Sequence, residues 1–257
     1  MDYLSGQGRL LLAERNSAGM PGTFRWVGDV NPFEVGASQD RVTVNESYTG
    51  QRGVALDLGR NLTVNLSATL KQLDAAMANV KLLTLGEDAA QATGSVTSEA
   101  ISPASGTLAV GDIFMLGAFD VSAVVIKDST GSPKTLTLGT NYTLNAKAGQ
   151  IEIIDATTGG PFVLPLVADY TKADASAVKL YNTASVEYWV RFEGVNTAVS
   201  GNPVVVADFY KWRPSPASQL ALINDEVAEF PIEGSILIDS GKSASGPFGQ
   251  YGRLITF

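Results

Sequence analysis

Few residues in this chain have types and spacings that could do chemistry. Asp225, Glu226 and Glu229 form its densest acidic cluster. Two carboxylates in unlike surroundings can divide the roles of acid and base. Nothing around these three suggests a concave site, so they read as a solvated acidic turn. Gly241-Lys242-Ser243 resembles the end of a phosphate-binding loop. That loop needs an earlier glycine where Ile236 stands, and a helix after it, which Gly246-Pro247 breaks. Asp155-Ala156-Thr157-Thr158-Gly159-Gly160 begins like a calcium loop but lacks the alternating ligands and terminal glutamate. Trp189, Trp212, Tyr188 and Tyr210 could stack on bases or sugars, although aromatics in paired strands more often pack in a core or a subunit contact. The chain has no cysteine and no histidine. Disulfides, thiol nucleophiles and Cys/His zinc sites are thereby removed, with the commonest general base near neutral pH. The expectation is a non-enzyme without cofactor or metal.

The elements that would position these residues are mostly strands. From Val186 the chain alternates: Val186, Tyr188, Val190 and Phe192 point one way, and Glu187, Trp189, Arg191 and Glu193 the other. Period two over this length is a strand pattern. Residues 204–214 return as a second apolar run that ends at Pro214, which has no N–H to give a ladder. Upstream, Leu62, Val64, Leu66, Ala68 and Leu70 share one face of a strand, with Asn61, Thr63, Asn65, Ser67 and Thr69 on the other. The period then lengthens: Leu70, Leu73, Ala76, Met77 and Val80 predict an amphipathic helix over 70–83, stopped by Gly86. Residues 23–28 and 41–45 read as strands, Pro32-Phe33 as the start of a loop, and 46–53 as a polar, glycine-bearing hairpin loop. Between 87 and 174 Ala, Ser, Thr and Gly dominate, and short apolar runs recur at 113–116, 121–126, 135–138, 142–145, 151–154 and 162–167. The predicted organisation is one mainly β domain with a helix (α+β). Its core is 20–86 and 176–240, with a β-rich insertion over 87–175 and terminal arms at 1–22 and 241–257. No apolar run approaches the roughly 18–20 residues of a membrane helix, and no membrane partner is expected. Met1-Asp2-Tyr3-Leu4-Ser5 lacks the basic and apolar regions of a secretory signal.

In this order the chain resembles the bacteriophage tail-tube (major tail) proteins of the long, non-contractile type. The resemblance is carried by residues 188–196 (YWVRFEGVN), 208–212 (DFYKW), 220–226 and 230–239. Upstream it is carried by Arg25-Trp26-Val27-Gly28-Asp29 and residues 62–83, and in the middle by 139–144 with 149–151. It implies antiparallel sheets that close into a β-barrel within a hexameric ring, the rings stacking into a tube bridged by loops and arms. It further implies a virion protein of the tail, made in the host cytoplasm. Its partners would be its own copies, a tape-measure protein, and tail-terminator and tail-tip proteins, with double-stranded DNA passing through unbound.

Elementary physics is consistent with such a design. A ring removes free sheet edges, and a heterologous contact between rings generates a filament. A formal net charge of −8 gives no counterion-release grip on nucleic acid. Either uncharged Asn61, Thr63, Asn65 and Ser67 or charged Glu187, Arg191 and Glu193 are expected to line the lumen. Trp189 fits a subunit contact. The loop with Glu46, Ser47, Tyr48, Gln51 and Arg52 is expected to bridge subunits or rings, and 87–174 to thicken or decorate the wall. The rival expectations are a β-sandwich adhesion or carbohydrate-binding module using Trp189 or Trp212, and, behind it, a carboxylate enzyme.

Overall fold

The computed structural model describes residues 3–73, 77–182 and 186–257. The chain begins with β1 (Gly6–Glu14), β2 (Arg25–Trp26), β3 (Val30–Asn45) and β4 (Val54–Leu70), then α1 (Ala78–Thr84). A run of short strands follows: β5 (Glu87–Gln91), β6 (Gly94–Ala100), β7 (Ile113–Met115), β8 (Val121–Lys127), β9 (Thr135–Leu136), β10 (Tyr142–Asn145), β11 (Gln150–Ile153), β12 (Val167–Lys172) and β13 (Ala175–Lys179). The last strands are β14 (Tyr188–Asn196), β15 (Val204–Pro214), β16 (Phe230–Ile236) and β17 (Gly252–Thr256). No helix among the described residues is long and apolar enough to cross a membrane.

Two compact units result. The first comprises the chain up to Glu87 together with Val178–Phe257, and the second is Asp88–Ala177. In the first, one antiparallel sheet runs in the order β2-β1-β14-β15-β16-β4-β3, with β17 added to β15. Leu10 and Leu12 of β1 share a buried cluster with Leu66, Ala68 and Leu70 of β4, so the sheet curls over its own apolar face. Leu82 and Leu83 of α1, with Tyr188, Val190 and Trp212, complete that cluster. Burying each such side chain contributes roughly 1.5–3 kcal/mol. The second unit has a sheet β10-β11-β7 and a sheet β6-β12-β8-β9 around its own core, in which Ile126, Ile151, Ile153 and Leu166 are fully buried. Strands β5 and β13, which carry the chain out and back, pair with each other.

Mainly β with one short helix is therefore the class, but the expected closure into a β-barrel is not found. Among the described residues every sheet is open: the large one ends on β2, only two residues long, and on β3, whose outer edge has no partner strand there. Three other expectations change locally. Pro32-Phe33 does not begin a loop but lies in β3, where the register with β4 shifts between Val30 and Phe33, and such an irregularity on an edge strand admits a residue without an N–H. Residues 6–14, read as part of an arm, are β1, paired along their length with β14. The helix is shorter than 70–83 because Leu70 stays in the sheet opposite Phe230. Ala76 lies outside the described residues, and Leu73, expected on the apolar side, is exposed. At the far end Leu85 turns left-handed (φ 47°), and the Gly86 N–H donates to the Lys81 carbonyl at 2.9 Å. A Cβ at Gly86 would sit 2.5 Å from Val178 Cγ1, so close approach explains this glycine.

Candidate assembly surface

The two longest strands, β3 with 16 residues and β4 with 17, exceed the usual 3–10. Only their inner ends join the core: Val30 and Phe33 pack against it, and Leu66, Ala68 and Leu70 lie within it. Residues 34–63 are exposed on both faces except Glu46, which is half-buried beneath its own turn. They form a two-stranded arm. Register places Val42 opposite Leu58 and Val44 opposite Leu56, so these four share one face. All four are 40–50% exposed, an apolar stripe without cover. Arg41 and Asp57, paired at 3.0 Å, lie on the reverse face. An isolated two-stranded ribbon is marginal in water, so an arm of this length needs a partner.

The arm ends in a tied turn. The Glu46 carboxylate accepts the Thr49 hydroxyl, the Thr49 N–H at 2.8 Å and the Tyr48 N–H at 2.9 Å, and the Glu46 N–H donates to the Gly53 carbonyl at 2.8 Å. Hydrogen bonds from Thr49 above all hold this carboxyl down, to about 2. Gly50 and Arg52 have left-handed φ values of 83° and 51°. Ser47, Tyr48, Gln51 and Arg52 are all exposed, Tyr48 to 86%.

Both sequence-predicted lumen sets lie on the same side of the large sheet, the side away from α1. Tyr188, Trp212, Ile236 and Val64 are cross-strand neighbours in one row that faces the core. Their sequence neighbours Glu187, Arg213, Ser235 and Asn65 therefore face away, and contacts bear this out: Glu187 pairs with Arg213 at 3.1 Å and Ser235 Oγ lies 3.1 Å from Asn65 Oδ1. Over β3, β4 and β16 this surface is open. Thr63, Asn65 and Ser67 are exposed there, and Asn61, with φ 51°, donates to Asp40 at 3.2 Å. Glu34 and Glu233 flank Ser67 in register and make this half acidic, a feature the alternation of β4 alone did not reveal. A shallow groove of about 560 Å³ runs over Glu34, Gly36, Asn65, Ser67 and Glu233.

Over β14, β15 and β17 the same surface is neutralised and covered. Glu187 also meets Lys211 at 3.3 Å, and Arg191 meets Glu193 at 2.6 Å. Asp208, 1% exposed, joins Arg191 at 3.5 Å and Arg253 at 2.9 Å. Trp189 stacks edge-on against Tyr210 at 4.8 Å, and Lys242 Nζ lies over both rings and over Phe248. Trp189 thus meets this chain's own C-terminal segment, and Trp212 is 1% exposed, so neither presents an open face to a sugar. The hub role of Asp208 had no sequence signal, because it depends on β17 returning to β15 to place Arg253, 45 residues further along the chain, beside it.

The other motifs are turns. Lys242 N–H donates to the Asp239 carbonyl at 3.0 Å, with no helix behind it. Asp155 accepts from the hydroxyls and N–H groups of Thr158 and Thr157, which hold its carboxyl well below the usual range. Leu222, Ile223 and Val227, beside Asp225 and Glu226, are exposed in a loop without regular structure.

Compared with known proteins, residues 3–255 match the family described as Protein of unknown function UCP028589. No curated protein matches the chain.

Proposed function

The chain belongs to the UCP028589 family, and we propose that it is a self-assembling structural protein of a phage tail tube, its copies forming hexameric rings that stack around a channel. The observation that carries this reading is the arm. Residues 34–63 hold an apolar stripe and a tied turn away from the core, where only another chain can cover them. A stable monomer has no use for such a surface. A contact between arm and body is heterologous, and repeated heterologous contacts build an open-ended assembly.

In this reading the open half of the outer face, with Thr63, Asn65, Ser67, Glu34 and Glu233, lines the channel. It is polar and acidic, and it would repel phosphates rather than hold them. The ion-paired half under Lys242 belongs to the wall. The chain has no catalytic role, needs no cofactor, and resides in the virion tail. There it surrounds a tape-measure protein, meets terminator and tip proteins at the tube's ends, and later lets double-stranded DNA through.

Negative-stain microscopy of concentrated purified protein tests the proposal. Rings or tubes with a central hole are expected. Uniform small monomers at every concentration would refute it. Deleting residues 46–53 should leave folded protein that no longer polymerises, and full tubes from that variant would remove the loop from the assembly.

A further inference from the structure

The first unit also has an open groove with part of its wall apolar. Its sheet curls enough to bring Phe33 of β3 over Phe192 of β14, with ring centroids 5.9 Å apart. Beside these rings lies a groove of about 880 Å³, lined by Leu4, Phe33, Phe192, Val205, Ala207 and Leu254. Leu4 and Leu254 on its rim are 74% and 67% exposed. Gly6 and Gly8 of β1 also border it, with Gln7 between them as the one residue of that strand that brings a side chain to its lining. Asp29 stands at its edge, exposed. Among the described residues Asp29 has no ion-pair partner, and neither does Arg52 at the tip of the arm.

We propose that this groove is the socket for the arm tip of a second copy, with Tyr48 as the anchor and Arg52 paired to Asp29. The inference rests on the self-assembly reading and names its contact. Tyr48 suits an anchor: it is aromatic, 86% exposed, and carried on a turn already tied by Glu46, so little freedom is lost on docking. The socket is concave and mixed in character: Phe33, Phe192 and Leu254 offer apolar wall to a phenol ring, and Gln7, Asn31 and Asp29 offer polar groups to its hydroxyl and to a guanidinium. The tip's free cation and the rim's free carboxylate are opposite in sign, which selects a second copy of this chain over an acidic partner. Tip and socket are different surfaces, so the contact is heterologous and each docking leaves a new tip and a new socket.

The test compares the full-length chain with Tyr48→Ala, Arg52→Asp, Asp29→Arg and the double variant Arg52→Asp/Asp29→Arg, by sedimentation velocity over a concentration series. All three positions are exposed, so thermal melts should be unchanged. Each single variant should raise the concentration needed for polymer by about tenfold or more, the scale of a hot-spot anchor or a like-charge juxtaposition. The double variant should restore assembly to within about threefold of the original chain, because the pair is re-formed with its signs exchanged. If the original chain polymerises and the single variants do so equally well, or the double variant does no better than the singles, the socket is wrong while the assembly reading stands. If the original chain stays monomeric throughout, both fall.

Discussion

At the arm's tip, a single carboxylate determines whether the turn is held. Glu46 titrates at about 2 instead of its ordinary 4.5, chiefly because the Thr49 hydroxyl and N–H bond its charged form. The folded value lies below the unfolded one, so the hold is complete above pH 4.5 and is lost as the pH falls through about 2. The amide shifts of Tyr48 and Thr49, followed by NMR against pH, should move with a midpoint near that lower value. A midpoint at the ordinary glutamate value would show that the turn does not hold the charge. A different residue-scale device ties the C-terminal segment to β1. Arg15 and Asp239 pair at 3.3 Å with side chains only 6% and 12% exposed, and Arg15 Nε and Nη1 have no hydrogen-bond partner among the described residues. Removing Asp239 would leave a buried guanidinium uncompensated. Asp239→Ala should cost about 3–5 kcal/mol, read as a shift in urea midpoint at constant slope. A loss below about 1 kcal/mol would mean that water reaches Arg15 and solvates it.

Among the elements, β16 shows how local composition serves sheet packing. A Cβ at Gly234 would lie 2.3 Å from the Arg213 carbonyl oxygen and 2.6 Å from both Pro214 Cα and Trp212 Nε1. Backbone cannot move aside there as a flexible side chain can. Gly234→Ala should therefore destabilise by about 1–3 kcal/mol. Gly36→Ala, on the arm's base where nothing lies within 4 Å, should stay within about 0.5 kcal/mol. Thermal melts of the two variants separate these cases, and equal losses would show that strand propensity, not crowding, sets the cost. Strands with apolar and polar residues in alternation were legible in the sequence. Val64, Leu66, Ala68 and Leu70 do face the core, and Tyr188 and Val190 do pack beneath α1's leucines. Leu62 keeps the same pattern yet is 47% exposed, because β4 has already left the body at that point. Strands β5, β6 and β13 escaped notice because EDAAQ, GSVTSEA and ASAVK carry almost no large apolar residue. Their ladders come from neighbours, not from propensity. The run 162–167 failed in the opposite sense. It is apolar, yet it buries Leu166 from a loop, and the strand β12 begins only at Val167.

At the scale of the whole molecule, each unit has its own buried cluster, and this makes the two separable in principle. Residues 88–177 expressed alone should melt in a single cooperative transition. Replacing them by a short Gly/Ser linker should leave a first unit that still melts cooperatively and still polymerises, since the arm and the groove both belong to it. Calorimetry and sedimentation of the two pieces check this. A broad, non-cooperative melt of either piece would show that its core needs the other.

The sequence by itself determined the class of local structure and the absence of cysteine and histidine chemistry. It also determined which side of the main strands is apolar. These follow from residue type and a period of two, both local properties. Only the tertiary structure decided that the sheets stay open, that the Asn61–Ser67 set and the Glu187–Glu193 set share one side, and that one half of that side is covered while the other is bare. It also decided that the outer two-thirds of the β3–β4 hairpin stands free of the core. The physical reason is that alternation says which way a side chain points along its own strand. It carries no information about which strands become neighbours, or about where a strand outruns the body that packs against it.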